Sequence, residues 1–187
     1  MVKIKNRAPE WLFLVVLVCV AADAVKLMKV KVNDSLTVSV PKDWRPMDDL
    51  DIAQRYPSVR APLVAYTNLE READFSVNIS ATQWPDDNAA IAQKFFKAGV
   101  MNVFDKVEMI DEGIREVRGK KFIFFEFESR VNGTRQEGFR DPVLRYTYIQ
   151  YLIEPGKALV FSFSCPKRDR QQWQDTAREM MKSVKIK

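Results

Sequence analysis

Apolar and polar residues alternate over several short stretches of the chain, which is the pattern of strands with one buried and one solvent-facing side. Residues 30–40 alternate on both sides of an Asn33-Asp34 turn and predict an opening hairpin. Residues 75–81 alternate without interruption and predict a further strand. Other apolar segments bounded by turn residues predict strands at 63–68, 107–114, 122–127, 143–153 and 158–165.

Two amphipathic helices are predicted from apolar residues at helical spacing. Polar residues at 85–88 supply capping chemistry, and Ile91, Phe95 and Phe96 follow as the predicted buried stripe of a first helix. Gly99 either ends this helix or lies within a longer stripe. A second helix is predicted over 168–183, with a last strand at 184–186. Its apolar stripe consists of Trp173, Ala177, Met180, Met181 and Val184.

The strand at 122–127 is apolar on both sides, so both faces of its sheet need a cover. The predicted helices are the elements available for this. Successive strands are joined by short turns such as Pro155-Gly156, which favours antiparallel neighbours. The pattern therefore predicts an α+β fold, with an antiparallel β-sheet of about six or seven strands flanked by helices on its faces.

Four segments, taken in their order along the chain, carry a resemblance to a known family. They are VSVPKDW at 38–44, DFSVNISATQW at 74–84, EVRGKKFIFFEF at 116–127 and ALVFSFSCPKRDRQQWQDTAREMMKSVKI at 158–186. In this order they resemble the PsbP-like superfamily, which includes the PsbP protein of photosystem II, the Ran-binding Mog proteins and the bacterial DcrB-like envelope proteins. The resemblance implies the same α+β fold and favours the DcrB-like branch. Its motifs carry no catalytic residues.

The amino terminus has the pattern of a secretory signal. Three basic residues precede the apolar run 11–20, and Ala22-Asp23-Ala24 places small residues where a signal peptidase cleaves. We therefore predict a signal peptide at 1–24, a single PsbP-like domain at 25–187, and a periplasmic or secreted location. The alternatives are a retained anchor and lipidation at Cys19. Membrane association is expected only in those two cases.

The composition excludes several functional classes. The 187 residues include no His, and imidazole is the usual general base near neutral pH and the commonest metal ligand. Ser/His/Asp and Cys/His catalysis and His-based zinc sites are therefore excluded. The 30 basic and 25 acidic residues give a formal net charge of +5 and are interleaved, so we expect no nucleic-acid partner. No cofactor is predicted.

Clustered aspartates offer a candidate site for a hard cation. Asp48, Asp49 and Asp51 form one group, and Asp86 and Asp87 form another. The glycine and terminal glutamate of a calcium-binding loop are absent, however. Helix capping and solvated loops are the favoured interpretation, and no metal site is predicted.

A recognition surface is predicted around the long connection at 129–142 and the strand that follows it. Arginine and tyrosine are frequent anchors of such surfaces, and loops on a sheet often bind partners. The candidate binding residues are Arg130, Arg135, Arg140, Arg145, Tyr146 and Tyr148. We predict a non-enzymatic exported binding or accessory domain that docks a cell-envelope protein or a small apolar or anionic ligand. In the alternative interpretation the tyrosines form a core stripe.

Two further functions stay open. One is a chaperone-like subunit that caps an apolar segment of a partner. The other is an enzyme that uses Glu126 and Glu128 as acid and base, or Cys165 as a nucleophile. Cross-strand pairing of the glutamates with Arg145 or a lysine, and burial of Cys165, are the favoured interpretations. No catalytic residues are therefore assigned.

Overall fold

The computed structural model describes residues 25–56, 60–80, 88–132 and 141–187. These ranges form three α-helices and ten β-strands. The helices are α1 (Asp49–Arg55), α2 (Ala89–Val103) and α3 (Arg170–Lys182), the last preceded by a 3₁₀ turn at Lys167–Asp169. The strands are β1 (Leu27–Lys31), β2 (Leu36–Pro41), β3 (Arg45–Pro46), β4 (Val64–Thr67), β5 (Asp74–Ser80), β6 (Lys106–Val117), β7 (Lys120–Val131), β8 (Val143–Glu154), β9 (Lys157–Pro166) and β10 (Lys185–Ile186).

Seven of the strands form one antiparallel sheet in the order β3-β4-β5-β9-β8-β7-β6. Strands β6, β7, β8 and β9 follow one another in the chain and are neighbours in the sheet, so they form a continuous meander. Arg118 and Gly119 both have positive φ, 51° and 79°, as a two-residue turn between right-twisted strands requires. Gly156, with φ of 75°, makes the corresponding turn between β8 and β9. The predicted fold class is confirmed.

A smaller antiparallel sheet joins the two ends of the described chain. β2 pairs with β1 on one side and with β10 on the other. The opening hairpin and the last strand that the sequence predicts are both present. Ser183, at the end of α3, supports this sheet because its hydroxyl accepts a hydrogen bond of 2.9 Å from the backbone N–H of Ser39.

The large sheet has two faces, and successive residues of each strand point alternately to one and the other. We call the face covered by the small sheet and α3 the closed face, and the face that packs with α2 the open face. On the closed face, Phe75, Phe122 and Phe163 pack with the small sheet and with α3. On the open face, Ile123 and Phe125 pack with α2. The prediction that both sides of 122–127 are covered by helices is confirmed. The helix stripe of α3 is also confirmed, since Trp173, Ala177, Met180, Met181 and Val184 are all buried.

The stripe that α2 buries differs from the one its sequence predicts. Ala92, Phe96 and Val100 lie against the sheet, whereas Ile91 is 57 % exposed and Phe95 is 52 % exposed. Gly99 does not end the helix, which continues to Val103. The helix is apolar on two adjoining sides, so periodicity alone could not select the side that is buried. Among the described helices, none combines the length and apolar character that crossing a membrane requires.

Candidate functional site

A cavity of about 740 Å³ lies between α2 and the open face of the large sheet. We call this cavity the groove. α2 contacts β6 and β7, so it shields one side of the face and leaves a trough over the other. Stacking of Phe96 on Tyr151, with ring centroids 4.1 Å apart, holds the helix in place. A volume of this size is typical of sites for small ligands.

One wall of the groove is the apolar side of α2. Phe95, Gly99 and Val103 line it at intervals of four residues, which places them on one side of the helix. Val103 is 71 % exposed. A Cβ built on Gly99 would meet no described atom within 4 Å. The glycine therefore widens the groove at the middle of this wall.

The floor of the groove is formed by small hydroxyl side chains on the sheet. Thr147 of β8 and Ser162 and Ser164 of β9 point into it, together with Ser129 of β7. On β9 these serines alternate with Phe161 and Phe163, which point to the closed face. Small polar residues on this side leave space that larger side chains would fill.

Three arginines line one end of the groove, which we call the cationic end: Arg55, Arg71 and Arg145. Arg145 donates from Nε to Ser164 Oγ at 2.7 Å and from Nη2 to Asp74 Oδ2 at 3.0 Å. Arg55 Nη1 lies 3.2 Å from the same Asp74 oxygen. Asp74 therefore anchors two guanidinium groups that come from different parts of the chain.

The remaining contacts of the cationic end fix its geometry. Arg71 pairs with Asp51, which is only 2 % exposed, and Arg55 donates to the backbone carbonyl of Arg71. Tyr56 donates from its hydroxyl to Asp74 Oδ1 at 3.0 Å. Burial raises the pKa of the Asp74 carboxyl, although Arg145, Tyr56 and Arg55 act in the opposite direction. Burial also raises the pKa of Tyr56.

Of the six candidate binding residues, Arg145 is the one that the described structure places in the groove. Arg130 is exposed and lines a smaller cavity of about 220 Å³ with Lys106 and Lys167. Its Nε donates to Asn132 Oδ1 at 2.7 Å. Arg135 and Arg140 lie outside the described residues.

Tyr146 and Tyr148 are fully buried on the closed face, so their rings offer no surface to a partner. Tyr146 donates to Glu126 Oε1 at 3.0 Å, and Tyr148 accepts from Arg115 Nη1 at 2.9 Å. Burial raises the pKa of Tyr148 to about 12. The structure corrects the prediction of surface tyrosines, because Tyr146 and Tyr148 lie on the side of β8 that faces the core, while Arg145 and Thr147 face the groove.

The two glutamates of β7 are held by cations of the segment that follows β9. Glu126 is 1 % exposed and accepts from Arg178 Nε at 3.1 Å and from Tyr146 and Gln174. Glu128 pairs with Lys167 and Arg170 at 2.5 and 2.9 Å. Burial acts to raise the pKa of Glu128, but these two hydrogen-bonded cations outweigh it and the net shift is downward. The glutamates thus tie α3 to the sheet.

Cys165 and Asp48, the first residue of the first aspartate cluster, contribute to the fold rather than to a binding site. Cys165 is fully buried on the closed face, and burial raises the pKa of its thiol to about 12. Asp48 is the N-cap of α1, because its Oδ1 accepts from the backbone N–H of Asp51 at 2.8 Å. Asp86 and Asp87 lie outside the described residues.

Most residues of the groove were missed by the interpretation of the sequence. The alternation of Ser162 and Ser164 with phenylalanines is a local signal of an open floor. The convergence of Arg55, Asp74 and Arg145 has no local signal, because these residues belong to three elements that only the folded sheet brings together.

No protein-family model matches this sequence, and no curated protein matches it. Solved structures do match. The cyanobacterial PsbP (CyanoP) of Synechocystis sp. PCC 6803 is similar at 18% identity, with a TM-score of 0.59, over 90% of this chain and 97% of that chain. LpqN, involved in cell envelope biogenesis of Mycobacterium tuberculosis, is similar at 15% identity, with a TM-score of 0.56, over 87% and 91%.

The Ran-binding protein Mog1p of Saccharomyces cerevisiae is also similar, at 12% identity with a TM-score of 0.53, over 87% of this chain and 96% of that chain. Identities this low establish the likeness of fold, and each similarity covers nearly the whole of the matched protein. Assignment to the DcrB-like branch stays a prediction. The chain has the fold that these three proteins share, and its membership of the PsbP-like superfamily stays a prediction as well.

Proposed function

We propose that this chain is an exported, non-enzymatic binding protein that takes a small amphipathic ligand in the groove. One observation carries the proposal: a cavity of about 740 Å³ combines an apolar helix wall with a cationic end. A ligand with an apolar body and a polar head matches both parts. Sites for small molecules commonly have this form, with apolar walls and a few convergent polar groups.

The contacts of the groove's ionisable residues favour binding over catalysis. Asp74, the carboxylate among the described lining residues, already holds two arginines at 3.0 and 3.2 Å. A general base must be able to take a proton from a substrate, and this carboxylate is occupied by its ion pairs. Burial raises the pKa of Tyr56 and Tyr151, which keeps both hydroxyls protonated.

The proposed location is periplasmic or secreted. The signal-like pattern of residues 1–24 supports it. LpqN, similar in fold, is described as a protein of cell envelope biogenesis. Binding in the groove is the form of action we propose, in place of docking of an envelope protein through the tyrosines, because the tyrosines are buried.

Binding in the groove can be tested with a neutral fluorescent probe, N-phenyl-1-naphthylamine. We expect one probe molecule to bind per chain, with a rise in fluorescence. Gly99→Leu places a side chain in the groove and should weaken probe binding at least about tenfold, since a leucine fills space the ligand needs. Ala98→Leu is the matched control, because Ala98 is exposed on the same helix outside the groove.

Two results would overturn the proposal that the groove binds a ligand. The first is a wild-type chain that leaves the probe fluorescence unchanged. The second is equal probe affinity for Gly99→Leu and Ala98→Leu, with circular dichroism confirming that both are folded. Equal affinity would mean that the probe binds elsewhere on the surface.

Export can be tested separately by fractionation of cells that express the tagged chain, followed by intact-mass measurement. We expect a soluble exported product that begins at Val25. An uncleaved product, or one with a lipid on Cys19, would overturn the cleavage prediction and tether the groove to a membrane. A product confined to the cytoplasm would overturn export itself.

A further inference from the structure

The cationic end carries more positive charge than the described carboxylates beside it neutralise. Arg55 and Arg145 share Asp74, and Arg71 pairs with Asp51. Three guanidinium groups therefore face two carboxylates. A ligand with a single negative charge would complete this balance. Arg168, which lies nearby, pairs with Glu72 at 2.6 Å and with Asp169 at 3.7 Å, and these three residues are not among those that line the groove.

Arg145 is fixed in an orientation that presents part of its fork to the groove. Its Nε is held by Ser164 and its Nη2 by Asp74, at 2.7 and 3.0 Å. Among the residues that the structure describes, none accepts a hydrogen bond from its Nη1. Its side chain is 32 % exposed. A guanidinium that is already oriented loses little freedom when it binds a carboxylate.

The apolar wall suits an extended hydrocarbon chain. Phe95 and Val103 are separated by eight residues of α2, which spans about 12 Å at 1.5 Å per residue. Both side chains are more than half exposed, and Gly99 between them leaves the wall recessed. The wall is therefore about 12 Å long, apolar and recessed at its middle, which matches an extended hydrocarbon chain.

We propose that the ligand is a single-chain carboxylate, with its head group on Arg145 and its hydrocarbon chain along Phe95, Gly99 and Val103. This inference rests on the proposed function and specifies its ligand class. A carboxylate brings one negative charge, equal to the excess at the cationic end. A phosphate monoester would bring about 1.5 to 2 negative charges beside Asp74, which that excess does not balance.

The head group can be tested by displacement of N-phenyl-1-naphthylamine with three compounds of equal chain length. Decanoate, decan-1-ol and decyl phosphate each contain ten carbon atoms and differ in the charge of the head group. We expect decanoate to bind at least about tenfold more tightly than decan-1-ol, because it gains a charge-assisted hydrogen bond. We also expect it to bind more tightly than decyl phosphate.

Variants of Arg145 test whether this arginine provides the discrimination. Arg145→Gln should reduce the preference for decanoate over decan-1-ol to less than about threefold, with little change for the alcohol. Arg145→Lys keeps the charge without the fork and should retain part of the preference. Arg45→Gln is the matched control, because Arg45 is exposed on the edge strand β3, away from the groove, and should keep the full preference.

The contact with the chain predicts a length dependence. Each methylene added from octanoate to decanoate should tighten binding about fourfold, at ~0.8 kcal/mol per buried CH₂. This gain should persist in Arg145→Gln, since the wall is unchanged. If affinity no longer depended on chain length in Arg145→Gln, the head group and the hydrocarbon chain could not bind at separate parts of the groove.

The outcomes separate this inference from the proposed function. Equal binding of decanoate and decan-1-ol, or an unchanged preference in Arg145→Gln, would overturn the carboxylate assignment and leave the groove as a binding site. Tighter binding of decyl phosphate would overturn it in favour of a doubly charged head. If neither the probe nor any decyl compound binds, the proposed function itself is wrong.

Discussion

The two faces of the large sheet are built from the same strands and differ in almost every other respect. On β9, Phe161, Phe163 and Cys165 point to the closed face and are fully buried, whereas Ser162 and Ser164 point to the open face and keep some exposure. β5 and β8 also alternate between the two faces, with Phe75 and Tyr146 on the closed face and Asp74 and Arg145 on the open face. Alternation along a strand thus assigns neighbouring residues to different physical environments.

The difference in cover explains the difference in composition. The closed face is covered by α3 and the small sheet, and its aromatic residues interdigitate. Among the described elements, α2 covers one side of the open face, and the other side carries hydroxyls and Arg145. A domain of this size can leave such a trough because the closed face buries enough apolar surface. We therefore expect substitutions on the closed face to affect stability and those in the groove to affect binding.

The sharpest test of this division compares adjacent residues of β9. The ring of Phe163 lies 6.0 Å from Trp44, 6.1 Å from Tyr146 and 6.2 Å from Trp173, centroid to centroid. Phe163→Ala should lower the free energy of unfolding by about 3–5 kcal/mol, because it opens a cavity in a packed core. Urea unfolding followed by tryptophan fluorescence measures this loss.

Ser162→Ala is the control for that substitution. It lies one residue away, faces the groove and should change the free energy of unfolding by less than about 0.5 kcal/mol. Comparable losses for the two variants would contradict the division between the faces. A small loss for Phe163→Ala would mean that the closed face collapses around the cavity.

The fold was predictable because its determinants are local. Alternation in residues 30–40 and 75–81, turn residues at Arg118-Gly119 and Pro155-Gly156, and the stripe of α3 each act over a few positions. The error at α2 has a physical cause. Ile91 and Phe95 are as apolar as Phe96, and only the position of the helix over β6 and β7 decides which of them is buried.

The candidate site was less predictable because it is non-local. Arg145 could be selected from its residue type and its place beside a long connection. Its partners could not, because Asp74 and Arg55 are 71 and 90 positions away in the chain and meet it only through the pairing of β5, β9 and β8. The error at Tyr146 and Tyr148 has a local cause. Their residue type was given more weight than the alternation along β8, which decides whether a side chain faces the core or the groove.

A second prediction concerns the buried charge on the closed face. Arg178 forms two hydrogen bonds of 3.1 Å to Glu126, which is 1 % exposed, while Arg178 itself is 37 % exposed. Arg178→Gln leaves a carboxylate in the core without its cation. We expect a loss of about 2 kcal/mol in the free energy of unfolding, less than the ~3–5 kcal/mol of a fully buried pair because water reaches the arginine.

Lys182→Gln on the same helix is the matched control. Lys182 and Glu179 pair at 2.8 Å, but both side chains are more than half exposed. Removing this pair should cost at most about 0.5 kcal/mol. If both variants lost the same stability, the charge of Glu126 would be solvated and the closed face would be less tightly covered than its packing indicates.

The smallest expected effect is a gain in stability on the wall of the groove. Gly99 lies within α2, where glycine costs about 1 kcal/mol relative to alanine, and an added Cβ meets no described atom within 4 Å. Gly99→Ala should therefore raise the free energy of unfolding by about 0.5–1 kcal/mol, and Ala98→Gly at the adjacent exposed position should lower it by a similar amount. Urea unfolding of the two variants measures both changes. A loss of stability in Gly99→Ala would mean that the methyl group meets packed atoms, and the wall would then belong to a filled interior like that of the closed face. A gain would confirm that the fold tolerates a larger residue at position 99. The lower stability that the glycine causes would then be tied to the open space that it leaves in the groove.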